Sequence, residues 1–157
     1  MTTDFEKRIS AVQGYIELGM FADACDELAA IDAQERDCPE VLACRAAIHC
    51  GRKEWPLMEI TARRLVAEQP SEPQWHISWA HAARHGESIE AARRILLTAV
   101  ERLPEVAALQ YNLACYECLL GELDVAKARL RHAFKLDAKL RQYARQDEDL
   151  ASLRDWL

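Results

Sequence analysis

The chain has 157 residues, 50% of them hydrophobic and 29% charged, enough to bury roughly 68–70% of its unfolded surface in one ordinary domain, which excludes disorder and fibrous repeats. Twenty Lys and Arg against 26 Asp and Glu give a net charge of −6, so no nucleic-acid footprint is expected. Met1 to Arg8 alternates acid with base and no stretch approaches 18 uncharged apolar residues, so no membrane insertion and a cytoplasmic location are expected, with the six cysteines as reduced thiols.

Thr3-Asp4-Phe5-Glu6 fits a capping box and opens the first predicted helix, which carries Val12 and Tyr15 and stops at Gly19. A second begins at Phe21 with Ala24 and Leu28. Pro39 opens a third, carrying Ala46 and ending at Gly51; Trp55-Pro56 opens a fourth, with Met58, Ala62 and Leu65 before Pro70. Ser71-Glu72-Pro73-Gln74 is a second capping box and opens the fifth, with Trp79 and Ala80, ending at Gly86. The sixth runs from Ile89 through Ala92, Leu96 and Ala99 to Pro104. The seventh holds Tyr111 to Leu120 ahead of Gly121, and the eighth has Leu123, Ala126, Leu130 and Ala133. Apolar spacings of three and four without alternation of period two make the chain all-α. Gly19, Gly51, Gly86 and Gly121 read as left-handed helix C-caps, and Gly14 alone falls inside a run.

Shifted by 34 residues, the sequence falls into columns: Ala24, Met58, Ala92, Ala126; Phe21, Trp55, Ile89, Leu123; Leu28, Ala62, Leu96, Leu130; Val12, Ala46, Ala80, Ala114. A 34-residue helix-turn-helix unit with small residues at the crossing, a large apolar residue starting the second helix and a closing proline resembles the tetratricopeptide repeat (TPR). The resemblance covers about residues 4 to 137 and is best in the copy starting Tyr111-Asn112-Leu113-Ala114. The second copy is weakest, with Met58 and Leu65 for small residues and Arg45 where a large apolar residue is typical. The resemblance implies one domain over 1–157: a right-handed α-solenoid of about four repeats (4–38, 39–70, 71–104, 105–137) with a C-terminal cap over 138–157. Leu140, Tyr143 and Ala144 give the cap a helical stripe; Leu150, Leu153 and Trp156 follow Asp147, an N-cap candidate. This tail is similar to the ending of small bacterial proteins with the repeat.

In the repeat family the first helix of each pair lines a concave groove. The matching columns are Ile9, Ala43, Ile77, Tyr111; Gln13, Ala47, His81, Cys115; and Ile16, Cys50, Arg84, Cys118. They describe an apolar, small-walled groove with an aromatic rim at Tyr111 and a mildly basic patch from His81, Arg84 and His85, suited to an amphipathic helix or extended apolar peptide. The same residues also fit a face covered by their neighbours or by the tail. The lysine and asparagine clamp with which some family members hold a partner's carboxylate is absent, because Ile9, Gln13, Ala47 and Ile77 stand there. Asn112 reads as a structural hydrogen-bonder to the preceding repeat.

Cys115-x-x-Cys118 on one helix face, with His81 and His85 from the preceding repeat, is a nominal set of four metal ligands, against which the bland reading is small buried cysteines. No cofactor is expected. Glycines never cluster into a phosphate loop and no nucleophile–base pair can be read from spacing, so no enzyme is expected; Glu117 and Glu122 read as solvated charges. From Glu17 to Glu40 there are eight acids and one base, Arg36, a net of 1 − 8 = −7, while Lys127, Arg129, Arg131 and Lys135 make the eighth helix basic. The expected function is a non-catalytic protein-interaction scaffold that takes a protein or peptide partner. Two alternatives stay open: a cytosolic chaperone of secretion substrates and a self-associating homodimer.

Overall fold

A computed structural model describes residues 3–157, apart from the side chain of Thr3. Among these residues there is no strand, and the chain is all-helical. Four helix pairs come first: α1 (Thr3–Glu17) with α2 (Phe21–Ala29), α3 (Pro39–Gly51) with α4 (Trp55–Glu68), α5 (Pro73–Gly86) with α6 (Ile89–Arg102), and α7 (Ala107–Leu119) with α8 (Leu123–Leu136). A short α9 (Leu140–Ala144) and a 3-10 helix (Glu148–Leu153) follow. The residues divide into two compact units, 1–70 and 71–157, whose boundary coincides with a repeat junction read from the sequence.

The 34-residue register explains the packing inside each pair. Phe21, Trp55, Ile89 and Leu123 each start the second helix of their pair and are half-buried. Val12, Ala80 and Ala114 are 0% exposed and Ala46 only 4%, so the crossing helices approach closely at these positions. Met58, at 5%, is buried although it is larger than its column mates Ala24, Ala92 and Ala126, as the flexibility of its side chain allows.

In unit 1 the core gathers Phe5, Val12, Leu28, Ile31, Val41 and Ile48. Arg8 joins α1 to α2 by pairing with Glu27 at 3.1 Å as well as with Asp4 at 3.0 Å. In unit 2 one cluster joins α5, α6 and α7 through Ala80, Leu96, Val100, Leu109 and Leu113. A second joins α7, α8 and the tail through Tyr111, Cys115, Leu130, Phe134, Leu150 and Leu153.

Several termini differ from the sequence expectations. The first capping box involves the Thr3 side chain, which lies outside the described residues. The second does not form: α5 starts at Pro73, Glu72 is the N-cap and no side chain caps it. Among the four helix pairs of the described residues, a side-chain N-cap forms at Ser88, which accepts from the Ala91 N–H at 3.1 Å. Left-handed φ occurs at Gly19 (71°) and Gly121 (84°), whereas Gly51 and Gly86 close α3 and α5 as their last helical residues. At Gly51 the requirement is space: a Cβ there would stand 2.1 Å from the ring of Phe21. The left-handed residue after α3 is Lys53, with φ of 58°.

Candidate functional site

The helix faces named by the groove columns can be followed in each unit. In unit 1, Gln13 is exposed, while Ile9, Ala43, Ala47 and Cys50 are half-buried, Ile9 lying against the core. In unit 2, Ile77, His81 and Arg84 on α5 are half-buried, and Tyr111, Cys115 and Cys118 on α7 are 5%, 4% and 4% exposed. An open groove expected at Tyr111 is therefore replaced by a covered face, and the cover is the chain's own C-terminal segment.

Two carboxylates fix this cover. Asp147 caps the 3-10 helix, accepting from the Asp149 N–H at 3.0 Å, and this turn directs both side chains back toward α5 and α7. Arg84 of α5 donates through Nη2 to Asp149 Oδ1 at 2.8 Å and through Nη1 to Oδ2, a bidentate ion pair. Tyr111 Oη donates to Asp147 Oδ2 at 2.7 Å, and Cys115 Sγ lies 3.8 Å from the same oxygen. Leu150 and Leu153, 0% and 2% exposed, carry the apolar part of the contact into the α7/α8 cluster. The Arg84 guanidinium also stands 5.8 Å from the Tyr116 ring centroid, within cation–π range.

The electrostatics follow from burial beside acids. Burial and the Asp147 hydrogen bond push the Tyr111 hydroxyl well above its ordinary 10.0, and burial followed by Asp147 pushes the Cys115 thiol well above 9.0. Burial raises Cys118, with Asp149 adding to it. Tyr116 is raised by burial to about 12. The Asp149 hydrogen bond raises Arg84, so the guanidinium stays charged. Burial, then His85 and Arg84, lower His81 and favour the neutral imidazole. The face is a donor surface: neutral hydroxyl and thiol beside a fixed cation, all directed at carboxylates.

The nominal metal set is not assembled. His81 and His85 meet ring to ring at 4.6 Å, and among the described residues the three-ligand cluster is Cys115, Asp147 and Asp149. Both carboxylates of that cluster are already engaged by Arg84 and Tyr111, and the Cys115 proton is held tightly.

Two further expectations change. Asn112 donates to the Ala108 carbonyl at 2.8 Å within its own helix rather than to the preceding repeat. Glu117 is 0% exposed, with Arg93 of α6 at 3.0 Å and Arg129 of α8 at 3.7 Å, in ionic contact without hydrogen-bond alignment. The signal was available: Glu117 lies 34 residues after Ala83 and shares its buried register. Of the acids of the tail, Asp147 reads from the sequence only as a cap, and no column or motif singles out Asp149.

No family model matches the chain, and no curated protein matches it. Among solved structures, one entitled "MamA RS-1 ArsTM double mutant", a TPR-fold protein, superposes with a TM-score of 0.70 at 14% identity, covering 88% of this chain and 79% of that one. The fold is a TPR-like helical repeat. The covered α5–α7 face therefore belongs to the first helices of the third and fourth repeats. No helix among the described residues is long and apolar enough to cross a membrane.

Proposed function

We propose that the protein is a non-catalytic protein-interaction module that binds a short acidic and apolar segment of a partner on the α5–α7 face. The observation that carries this reading is that the face already holds such a segment, residues 147–153 of its own chain, through Arg84, Tyr111 and the apolar surface around Cys115 and Cys118. A TPR-like fold with this surface suits a partner with two carboxylates two residues apart, followed by leucine-like side chains at helical spacing. Arg84 sets orientation through its two-point contact, Tyr111 and Cys115 donate to the second carboxylate, and the apolar side chains contribute most of the area. In unit 1, Ile9, Gln13, Ala43, Ala47 and Cys50 extend the proposal to the corresponding face of the first two repeats.

The tail acts as a cis competitor in this reading, so a partner binds at the expense of the tail's own contacts. A fluorescent peptide of residues 145–157 tests it. Binding is expected to be weak to the wild type, stronger to Asp147→Asn/Asp149→Asn, whose tail is loosened, and lost when Arg84→Glu is added. Equal binding to all three folded proteins overturns the reading.

A further inference from the structure

A separate cavity lies within unit 1, in the seam between α2 and α3. The repeat register places Arg45 in a column with Trp79 and Leu113, and Leu113 is 0% exposed in the α6–α7 cluster. Arg45 does not fill the equivalent seam. Its side chain is 37% exposed and turns toward Asp37, 4.0 Å away. Arg45 instead lines a cavity of about 430 Å³, within the roughly 300–1,000 Å³ of small-molecule sites. Leu28, Ile48 and Cys25 give it an apolar floor; Arg36, Arg45 and His49 stand among them, and among the described residues no carboxylate is in the lining.

This charge pattern runs against its surroundings. The stretch from Glu17 to Glu40 contains eight acids and one base, and that base, Arg36, is at the cavity. Three nearby acids are already engaged, Asp37 standing 4.0 Å from Arg45 of the lining as well. Asp37 lies 3.0 Å from Arg64, Glu27 pairs with Arg8 at 3.1 Å, and Glu54 meets His49 Nδ1 at 2.7 Å. Arg36 is held in place by donating Nε to the Ile31 carbonyl at 2.9 Å and Nη2 to the Ala29 carbonyl at 3.0 Å. Neither acceptor is an anion, so these two bonds position the guanidinium without pairing it to a carboxylate.

We infer that this seam is a binding site for a small amphipathic carboxylate, its alkyl body on Leu28 and Ile48 and its carboxylate between Arg36 and Arg45. The match is of charge and shape: two guanidiniums above an apolar, concave floor take one anionic head and one short chain. The site is independent of the α5–α7 face. Its ligand is a free medium-chain acid, in contrast to the polypeptide proposed for that face.

Calorimetric titration of the full chain with octanoate tests the inference, with octanol and an apolar hexapeptide bearing a free C-terminus as comparisons. Saturable one-to-one binding of octanoate is expected, with octanol about tenfold weaker or worse because it lacks the charge. Arg45→Leu fills the seam and removes one guanidinium, so it abolishes binding while helicity and melting temperature are kept. Arg45→Gln, which keeps the cavity largely open, weakens binding about tenfold and serves should the leucine variant misfold. No saturable octanoate binding, equal affinity for octanol, or unchanged affinity in folded Arg45→Gln overturns the inference. Binding of the hexapeptide without octanoate also overturns it and transfers the site to peptide termini.

Discussion

Arg84 and Asp149, 65 residues apart in sequence, form a two-point ion pair that clasps the C-terminal 3-10 helix to α5. Both side chains are 26% exposed, so the pair is partly shielded from water and geometrically well defined. Arg84→Ala and Asp149→Asn are each expected to lower stability by about 1 kcal/mol, with the double variant costing little more than either alone. Thermal melts of the four proteins check this. Additive losses would show that the two residues act separately.

Tyr111 contributes through its hydroxyl as well as its ring. Tyr111→Phe keeps the ring in the α7/α8 cluster and removes the bond to Asp147, costing about 1 kcal/mol. Tyr111→Glu, by contrast, places a carboxylate against Asp147 in a 5% exposed position and is expected to unfold this end of unit 2. Circular dichroism with hydrogen exchange on residues 140–157 distinguishes the two.

Alkaline pH loosens the same region. Tyr111, Cys115 and Cys118 hold their protons more tightly folded than unfolded, so their contribution is present below the ordinary values of 9.0 for cysteine and 10.0 for tyrosine and declines above them. Cys44, raised by burial to about 11, and Tyr116, raised to about 12, extend the decline upward. Melting temperature is expected to be level from about pH 7 to 9 with respect to these groups and to fall beyond it. Replacing Tyr111 by Phe and Cys115 by Ala flattens that fall.

Glu117 carries the largest loss expected of a side-chain truncation. Glu117→Ala leaves Arg93 and Arg129 facing a space without their acid and costs about 3 kcal/mol, read by denaturant unfolding.

The columns spaced by 34 made the helix pairs legible, because a helix crossing demands small or flexible side chains at fixed positions, as at Ala46, Ala80 and Ala114. The occupant of the α5–α7 face was not legible. Periodicity reports which residues point inward on their own helix, whereas the Arg84–Asp149 and Tyr111–Asp147 pairs depend on where a short tail turns after α9. Glu117 shows the complementary failure: its residue type suggests solvent, and only its register with Ala83 gives its burial. Arg45 was visible as an exception in its column, but the cavity beside it requires knowing that the guanidinium turns toward Asp37 rather than filling the seam.

Glycines divide by the same logic. Gly51→Ala forces the Phe21 ring to move from a 2.1 Å contact and is expected to cost about 1–3 kcal/mol, partly recovered by Phe21→Leu. Gly14→Ala, inside α1 with nothing within 4 Å of the added Cβ, is expected to stabilise by about 0.5–1 kcal/mol. Thermal melts of the two variants should therefore move in opposite directions.

The most direct test of the central claim is hydrogen exchange on residues 147–153 of the wild type, alone and with excess unlabelled 145–157 peptide. If the α5–α7 face is a polypeptide-binding surface held by the chain's own tail, the peptide speeds exchange of the intact protein's tail amides while α7 stays protected, and Arg84→Glu speeds it without peptide. Unchanged tail exchange with peptide and with Arg84→Glu would contradict the claim and make the tail a fixed part of the core.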